Sequence, residues 1–265
     1  MSRIKIVIHR LLQKIYFPCI NIHNCCCAWK LTGLILISLI PVFNMKFYRD
    51  HAWPSTLEEA IVIQEKLRDQ VITEDQLQET IQYVAGVDMG FEADGTISRA
   101  AVAVLSFPDL QVIETSLAHR PTTFPYVPGF LSFREIPAVL DALEKIKTTP
   151  DIILCDGQGI AHPRRLGIAS HLGLLIDMPT IGVAKSLLVG KYEELAETKG
   201  STQPLIYKGE TVGAVLRSRT GVKPLYISSG HRVSLPTAID YVLRCTPKYR
   251  LPETTRIADK LASAK

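Results

Sequence analysis

The chain has 265 residues, 47% of them hydrophobic and 21% charged, which is enough apolar material for one globular domain with a short appendage and excludes a disordered or fibrous polypeptide. Its formal charge of +4 arises at the start: Arg3, Lys5, Arg10, Lys14 and Lys30 meet no acid in residues 1–44, leaving 25 basic residues against 26 acidic ones in the rest. This excludes a uniformly basic nucleic-acid-binding domain, so affinity for a polyanion must come from local clusters and bound cations.

Residues 31–43 form an apolar run of thirteen behind Lys30, short for a spanning helix of roughly 20 residues. No small-residue cleavage site follows it. Residues 1–44 are therefore expected to be an atypical leader translated upstream of a working start at Met45, with a membrane anchor or a cleaved signal as alternatives. Membrane contact is expected only if 31–43 is such an anchor. Residues 45–265 are expected to be the globular domain. Four cysteines lie in the leader, and the remaining pair, Cys155 and Cys245, has neither disulfide-framework nor zinc-site spacing, consistent with a reducing cytoplasm.

From Ser55, with Glu58 at capping-box spacing, Leu57, Ala60, Ile61, Leu67 and Val71 share a helical face. Strand-like runs follow at Tyr83–Asp88, Ile97–Phe107 and Gln111–His119, and their short connections predict an antiparallel meander. The pattern then alternates. A helix over about Pro137–Lys147 precedes strand Ile152–Cys155; a helix over about Arg164–Ile176 precedes strand Thr180–Ala184, so these strands are predicted parallel. Thr211–Arg219 and Pro224–Ser228 read as a hairpin, and two helices beginning near Ser234 and Pro252 close the chain. An antiparallel meander leading into parallel strands, with helices on both faces, is the ribonuclease H-like mixed α/β layout.

Asp88 and Asp156 each end an apolar run, and in that layout the two would emerge side by side at one sheet edge. Adjacent acids repel unless a cation sits between them or one is protonated. Magnesium, which prefers hard oxygen ligands and retains water, is the economical cation. Glu135, just ahead of Pro137, offers a third carboxylate, with a helix-start acid as the alternative reading. His231 is predicted to reach the same edge as a ligand or proton carrier, with a turn residue as the alternative. Together these groups point to metal-assisted phosphodiester hydrolysis. Arg164 and Arg165 are placed at a helix start, where cations oppose the dipole and would face a polyanion, and Lys185 directly follows a strand. In residues 120–130, RPTTFPYVPGF, three prolines stiffen a loop carrying aromatics, a form suited to wedging between bases.

These blocks, VAGVDMGF from Val84, RPTTFPYVPGFLSFREIP from Arg120, ILCDGQGIAHPRRLGIASHLG from Ile153, IGVAKSLLVG from Ile181, GAVLRS from Gly213 and SGHRVSLPTAI from Ser229, resemble in order the endonuclease V, or deoxyinosine 3′-endonuclease, family. The resemblance covers about residues 83–263. It implies a ribonuclease H-like fold and a monomeric, magnesium-dependent DNA repair endonuclease, with manganese as a substitute ion. Such an enzyme nicks the second phosphodiester bond 3′ to deoxyinosine and leaves 5′-phosphate products. Asp88, Glu135 and Asp156 would hold the metal, Lys185 would lie near the phosphate, and His231 would be the active-site histidine. Pro125, Tyr126, Val127 and Pro128, with Gly129, would form the strand-separating wedge. Gly157, Gly159 and His162 would line the base pocket, and Arg164 and Arg165 would meet backbone phosphate. Cleavage of inosine-containing single-stranded RNA and a non-catalytic inosine-binding module are the rival readings.

Overall fold

The computed structural model describes Phe47 and residues 51–263. The expected leader lies outside the described residues. The domain is built on one eight-stranded sheet of order β3-β2-β1-β4-β5-β8-β7-β6. Its strands are β1 (Tyr83–Glu92), β2 (Ile97–Ser106), β3 (Val112–Pro121), β4 (Ile152–Cys155), β5 (Thr180–Ala184), β6 (Thr202–Tyr207), β7 (Glu210–Leu216) and β8 (Leu225–His231). The first three pair antiparallel, β1, β4 and β5 run parallel, and β8, β7 and β6 return to antiparallel pairing. The predicted ribonuclease H-like architecture is borne out, with β6 as an additional strand that the sequence pattern did not reveal.

Five α-helices accompany the sheet among the described residues: α1 (Leu57–Arg68), α2 (Leu131–Leu143), α3 (Ile168–Ile176), α4 (Leu235–Arg244) and α5 (Glu253–Ser263). Strand alternation sorts the core into two layers. Ala85, Val87, Ile153 and Cys155 pack with α2 and α3, whereas Val84, Ile152 and Leu154 share the other layer with Ala238 and Val242 of α4. Helix α5 also lies on this second face, its Ala258 and Ala262 packed on Ala101. A Cβ at Gly86 or Gly90 would come within 2.2 or 2.1 Å of the α5 backbone, so these two glycines let α5 lie directly against β1.

Three boundaries depart from the sequence expectation. The capping box of α1 is Thr56 with Glu59, one residue later than the predicted pair, and Ser55 instead adds its backbone N–H and hydroxyl to Glu59. Helix α2 begins six residues before Pro137, which lies inside it. The proline sacrifices one backbone hydrogen bond, and burial of Phe133, Ile136, Val139 and Leu143 around it outweighs that loss. Helix α3 begins at Ile168, so Arg164 and Arg165 belong to the loop before it. Both described cysteines are free and buried. Among the described residues, no helix is long and apolar enough to cross a membrane.

Candidate active site

The register Val87↔Cys155 brings the next residue of each strand, Asp88 and Asp156, to the same edge as predicted. Helix α5, seated on the glycines of β1, adds Asp259. These three each place a carboxylate oxygen within 4.8 Å of the other two. Burial raises Asp88, and the Asp156 charge adds to it, so that its pKa reaches about 8. Burial likewise raises Asp156, against the pull of Lys185. Asp259 is held below the ordinary carboxylate range: burial works against this, and hydrogen bonds from Lys185 and Asp88 overcome it. Asp88 thus behaves as the protonated partner of a crowded acid cluster.

Lys185 follows β5 and reaches back into the cluster. Its ammonium contacts Asp156 Oδ2 and lies 3.0 Å from Asp259 Oδ1. Burial disfavours its charge, but the acids outweigh that and raise its pKa. Glu135 approaches from α2, the opposite helical layer, in the second turn of its helix rather than ahead of it. It is only 7% exposed, and burial, then Asp88 and Asp156, lift it to about 8. The helix-start alternative for Glu135 therefore fails: it is a buried acid aimed at the cluster, outside the tight trio.

His231 is not at this edge. Because β8 runs antiparallel to β5, its last residue pairs with Thr180, the first of β5, at the end of the sheet remote from Lys185. There His231 Nδ1 accepts the Ile72 N–H at 3.2 Å and Nε2 faces Asp177 at 3.6 Å. Burial, reinforced by Arg232, lowers its pKa, so it acts as a neutral tie between segments. The fourth group at the acid edge is Asp259, which the sequence reading missed. An acid on an amphipathic helix carries no motif, and the Gly86/Gly90 spacing was the only hint of a helix docked there.

Beside the acids lies a cavity of about 160 Å³. Its walls include Tyr126, Pro128 and Gly129 of the proline-rich loop, Gly157 and His162 of the β4–α3 loop, and Leu187 and Leu188 after β5. Tyr126 is 69% exposed at the rim. Pro125 and Val127 do not line the cavity, and Val127 instead packs on the cluster of Phe124, Phe130 and Phe133. Gly157 has φ +151° and a Cβ there would sit 2.6 Å from Ile168 Cγ2. Gly159 is not a lining residue: a Cβ at that position would meet the Ser229 carbonyl at 2.0 Å, so its role is close packing on β8.

The Gly129 carbonyl ties the two loops together. It accepts from Gln64 Nε2, His162 Nε2 and Arg164 Nη2, each at 3.0 Å. His162 Nδ1 accepts the Arg164 N–H at 3.2 Å, and burial lowers the ring to about 4, so it is neutral with its proton on Nε2. Arg164 also bonds Gln64 and stacks 4.3 Å over Phe130. Arg165 pairs with Glu210 at 2.5 Å. Both guanidinium groups are thus engaged within the protein, and Arg164 is a brace for the loop.

The sequence profile of the endonuclease V family matches residues 65–260. An endonuclease V of Nostoc punctiforme is 96% identical over 221 residues, covering 83% of this chain and 100% of that one. The solved endonuclease V of Streptomyces avermitilis shares 46% identity with a TM-score of 0.76, over 80% of this chain and 93% of that one. Endonuclease V of Ciona intestinalis, in complex with a 24mer DNA containing an inosine followed by a ribo-adenosine, shares 32% identity with a TM-score of 0.69, over 77% and 95% of the two chains. With its acid edge set on a sheet shared with these nucleases, and the profile running through most of the described residues, this chain belongs to the endonuclease V family.

Proposed function

We propose that this chain is a magnesium-dependent repair endonuclease that nicks DNA at the second phosphodiester bond 3′ to deoxyinosine, leaving 5′-phosphate products. The observation that carries the reading is the carboxylate trio of Asp88, Asp156 and Asp259 beside a base-sized pocket. The trio fits a divalent ion: three hard oxygen donors are crowded together, two of them, Asp88 and Asp156, disfavoured as anions by burial and by a neighbouring carboxylate, and a cation relieves that crowding. Asp88, Asp156 and Asp259 would hold it, with Glu135 alongside. Bound there, magnesium or manganese would supply Lewis acidity to the phosphoryl oxygens and promote deprotonation of the attacking water.

The remaining work falls to the chain's own residues. Lys185 can move its ammonium from the acids to a phosphate oxygen. Exposed Tyr126 on its braced loop enters the duplex, where inosine pairs weakly and costs less to unstack, and the neighbouring pocket receives the turned-out base. Arg164 and Arg165 remain as loop supports. The catalytic domain is read as Met45 to Lys265, a span equal in length to the 221-residue Nostoc match, acting as a cytoplasmic monomer.

The RNA reading has one observation in its favour, the ribo-adenosine after inosine in the DNA bound by the Ciona relative. Matched, end-labelled DNA and RNA oligonucleotides with a single inosine test both. The expected result is one magnesium-dependent nick 3′ to inosine that favours DNA, lost in Asp156→Asn. Preference for RNA would transfer the reading to the ribonucleotide substrate. Undiminished nicking by Asp156→Asn would remove the acid cluster from the chemistry, and inosine binding without product would support a binding module.

A further inference from the structure

Ser132, the second residue of α2, lines the base pocket although it is only 2% exposed. Its hydroxyl lies 3.1 Å from Nδ1 of His171, a fully buried residue of α3. His171 Nε2 lies 2.8 Å from His51 Nε2, and His51 Nδ1 lies 2.9 Å from the Ala52 carbonyl oxygen. With both rings neutral, this chain has a single polarity. The carbonyl can only accept, so His51 carries its proton on Nδ1 and presents a lone pair at Nε2. His171 must then donate from Nε2, which leaves its Nδ1 to take the Ser132 proton. With that proton committed inward, Ser132 offers the pocket only lone pairs.

The relay is built rather than incidental. Burial, chiefly, and then His51 and His162 push His171 down to about 3, which keeps it neutral. The Phe133 and Trp53 rings flank it with centroids at 5.1 and 6.0 Å, and His51 in turn stacks edge-on against Trp53 at 5.0 Å.

We infer that Ser132 is a specificity-determining residue, an obligate hydrogen-bond acceptor that selects a base carrying an N–H donor at N1, as hypoxanthine does, over one carrying a lone pair there, as adenine and unsubstituted purine do. This rests on the proposed entry of the inosine base into this pocket. Rejection of adenine is the discrimination an enzyme acting on deaminated adenine needs most, and a polar group left unpaired in a closed pocket is an effective means of rejection. Guanine shares the N1 donor, so Ser132 separates hypoxanthine from adenine and not from guanine.

The test compares kcat/KM on single-stranded oligonucleotides carrying hypoxanthine or unsubstituted purine for the wild type, Ser132→Ala and His51→Ala. Loss of one such hydrogen bond corresponds to roughly 2- to 12-fold. Ser132→Ala is expected to lower the hypoxanthine value by that factor while the purine value holds or rises, so the selectivity ratio falls. His51→Ala, outside the pocket, is expected to lower the same ratio by releasing the His171 tautomer, with its melting temperature little changed. An unchanged ratio in Ser132→Ala, or equal losses on both bases, would assign Ser132 to packing and overturn the inference. Failure of the wild type to cut hypoxanthine at all would overturn the functional reading and the inference with it, and is distinguishable because it appears before any substitution.

Discussion

Replacing Asp88 by Asn is expected to stabilise the metal-free protein at alkaline pH. Burial, then the Asp156 carboxylate, raise Asp88 from 3.8 to about 8. The unfolded chain releases this proton near pH 4, whereas the folded chain keeps it until near pH 8. The stability it confers is therefore fully present below about pH 4 and is lost as pH rises through about 8. Between pH 5 and 8 this amounts to ~4 kcal/mol, or ~8–16 °C in melting temperature for a domain of this size. Glu135, raised to about 8 mainly by burial, acts in the same direction. Asn mimics the neutral acid: its Oδ1 can keep the 2.8 Å bond from the Met89 N–H, and its amide can donate to Asp259 as the protonated carboxyl does. Thermal unfolding in EDTA from pH 5 to 8.5 is the assay. The wild type should lose stability steadily and Asp88→Asn should lose less, the gap widening with pH. Parallel curves for the two proteins would refute the assignment of Asp88 as the protonated member of the cluster.

Lys185→Met should lower nicking by about 100-fold or more, the scale of a lost charge-stabilising donor, yet leave magnesium binding equal or tighter because the acids lose their internal cation. Calorimetric titration checks this, and weaker magnesium binding would count against it. Tyr126→Ala should shift stability by no more than ~0.5 kcal/mol, since the ring is exposed, while reducing cleavage of duplex more than of single-stranded substrate. Equal losses on the two substrates would remove the wedge role. Gly157→Ala should destabilise by ~1–3 kcal/mol through its φ of +151° and the Cβ 2.6 Å from Ile168, and chemical denaturation with an unchanged midpoint would show that the loop relaxes instead.

Much of this was legible before the fold was known, for reasons of local chemistry. Alternation and short turns define the meander, and β4 lies parallel beside β1 with β5 parallel beside β4, so Asp88 and Asp156 share an edge. The proline-rich loop announced its stiffness, whereas a rigid connector with a buried tyrosine was an equally available reading until the structure placed Tyr126 69% exposed. His231 was misplaced because a hairpin signal does not say which strand β8 joins; pairing antiparallel with β5 sends its end away from the acids. Arg164 and Arg165 were read as free cations because sequence shows charge and not partners, and their partners are Gln64, Gly129, Phe130 and Glu210.

The sequence by itself determined the strand order's parallel centre, two of the three clustered acids and the loop beside them, because these depend on periodicity and on neighbours close along the chain. Only the tertiary structure decided that Asp259, 103 positions beyond Asp156, completes the trio, and that a serine takes its polarity from two histidines on other segments. Those contacts depend on how helices seat on the sheet, through the bare backbone of Gly86 and Gly90 and the apolar packing around Phe133, and no local pattern encodes that distance.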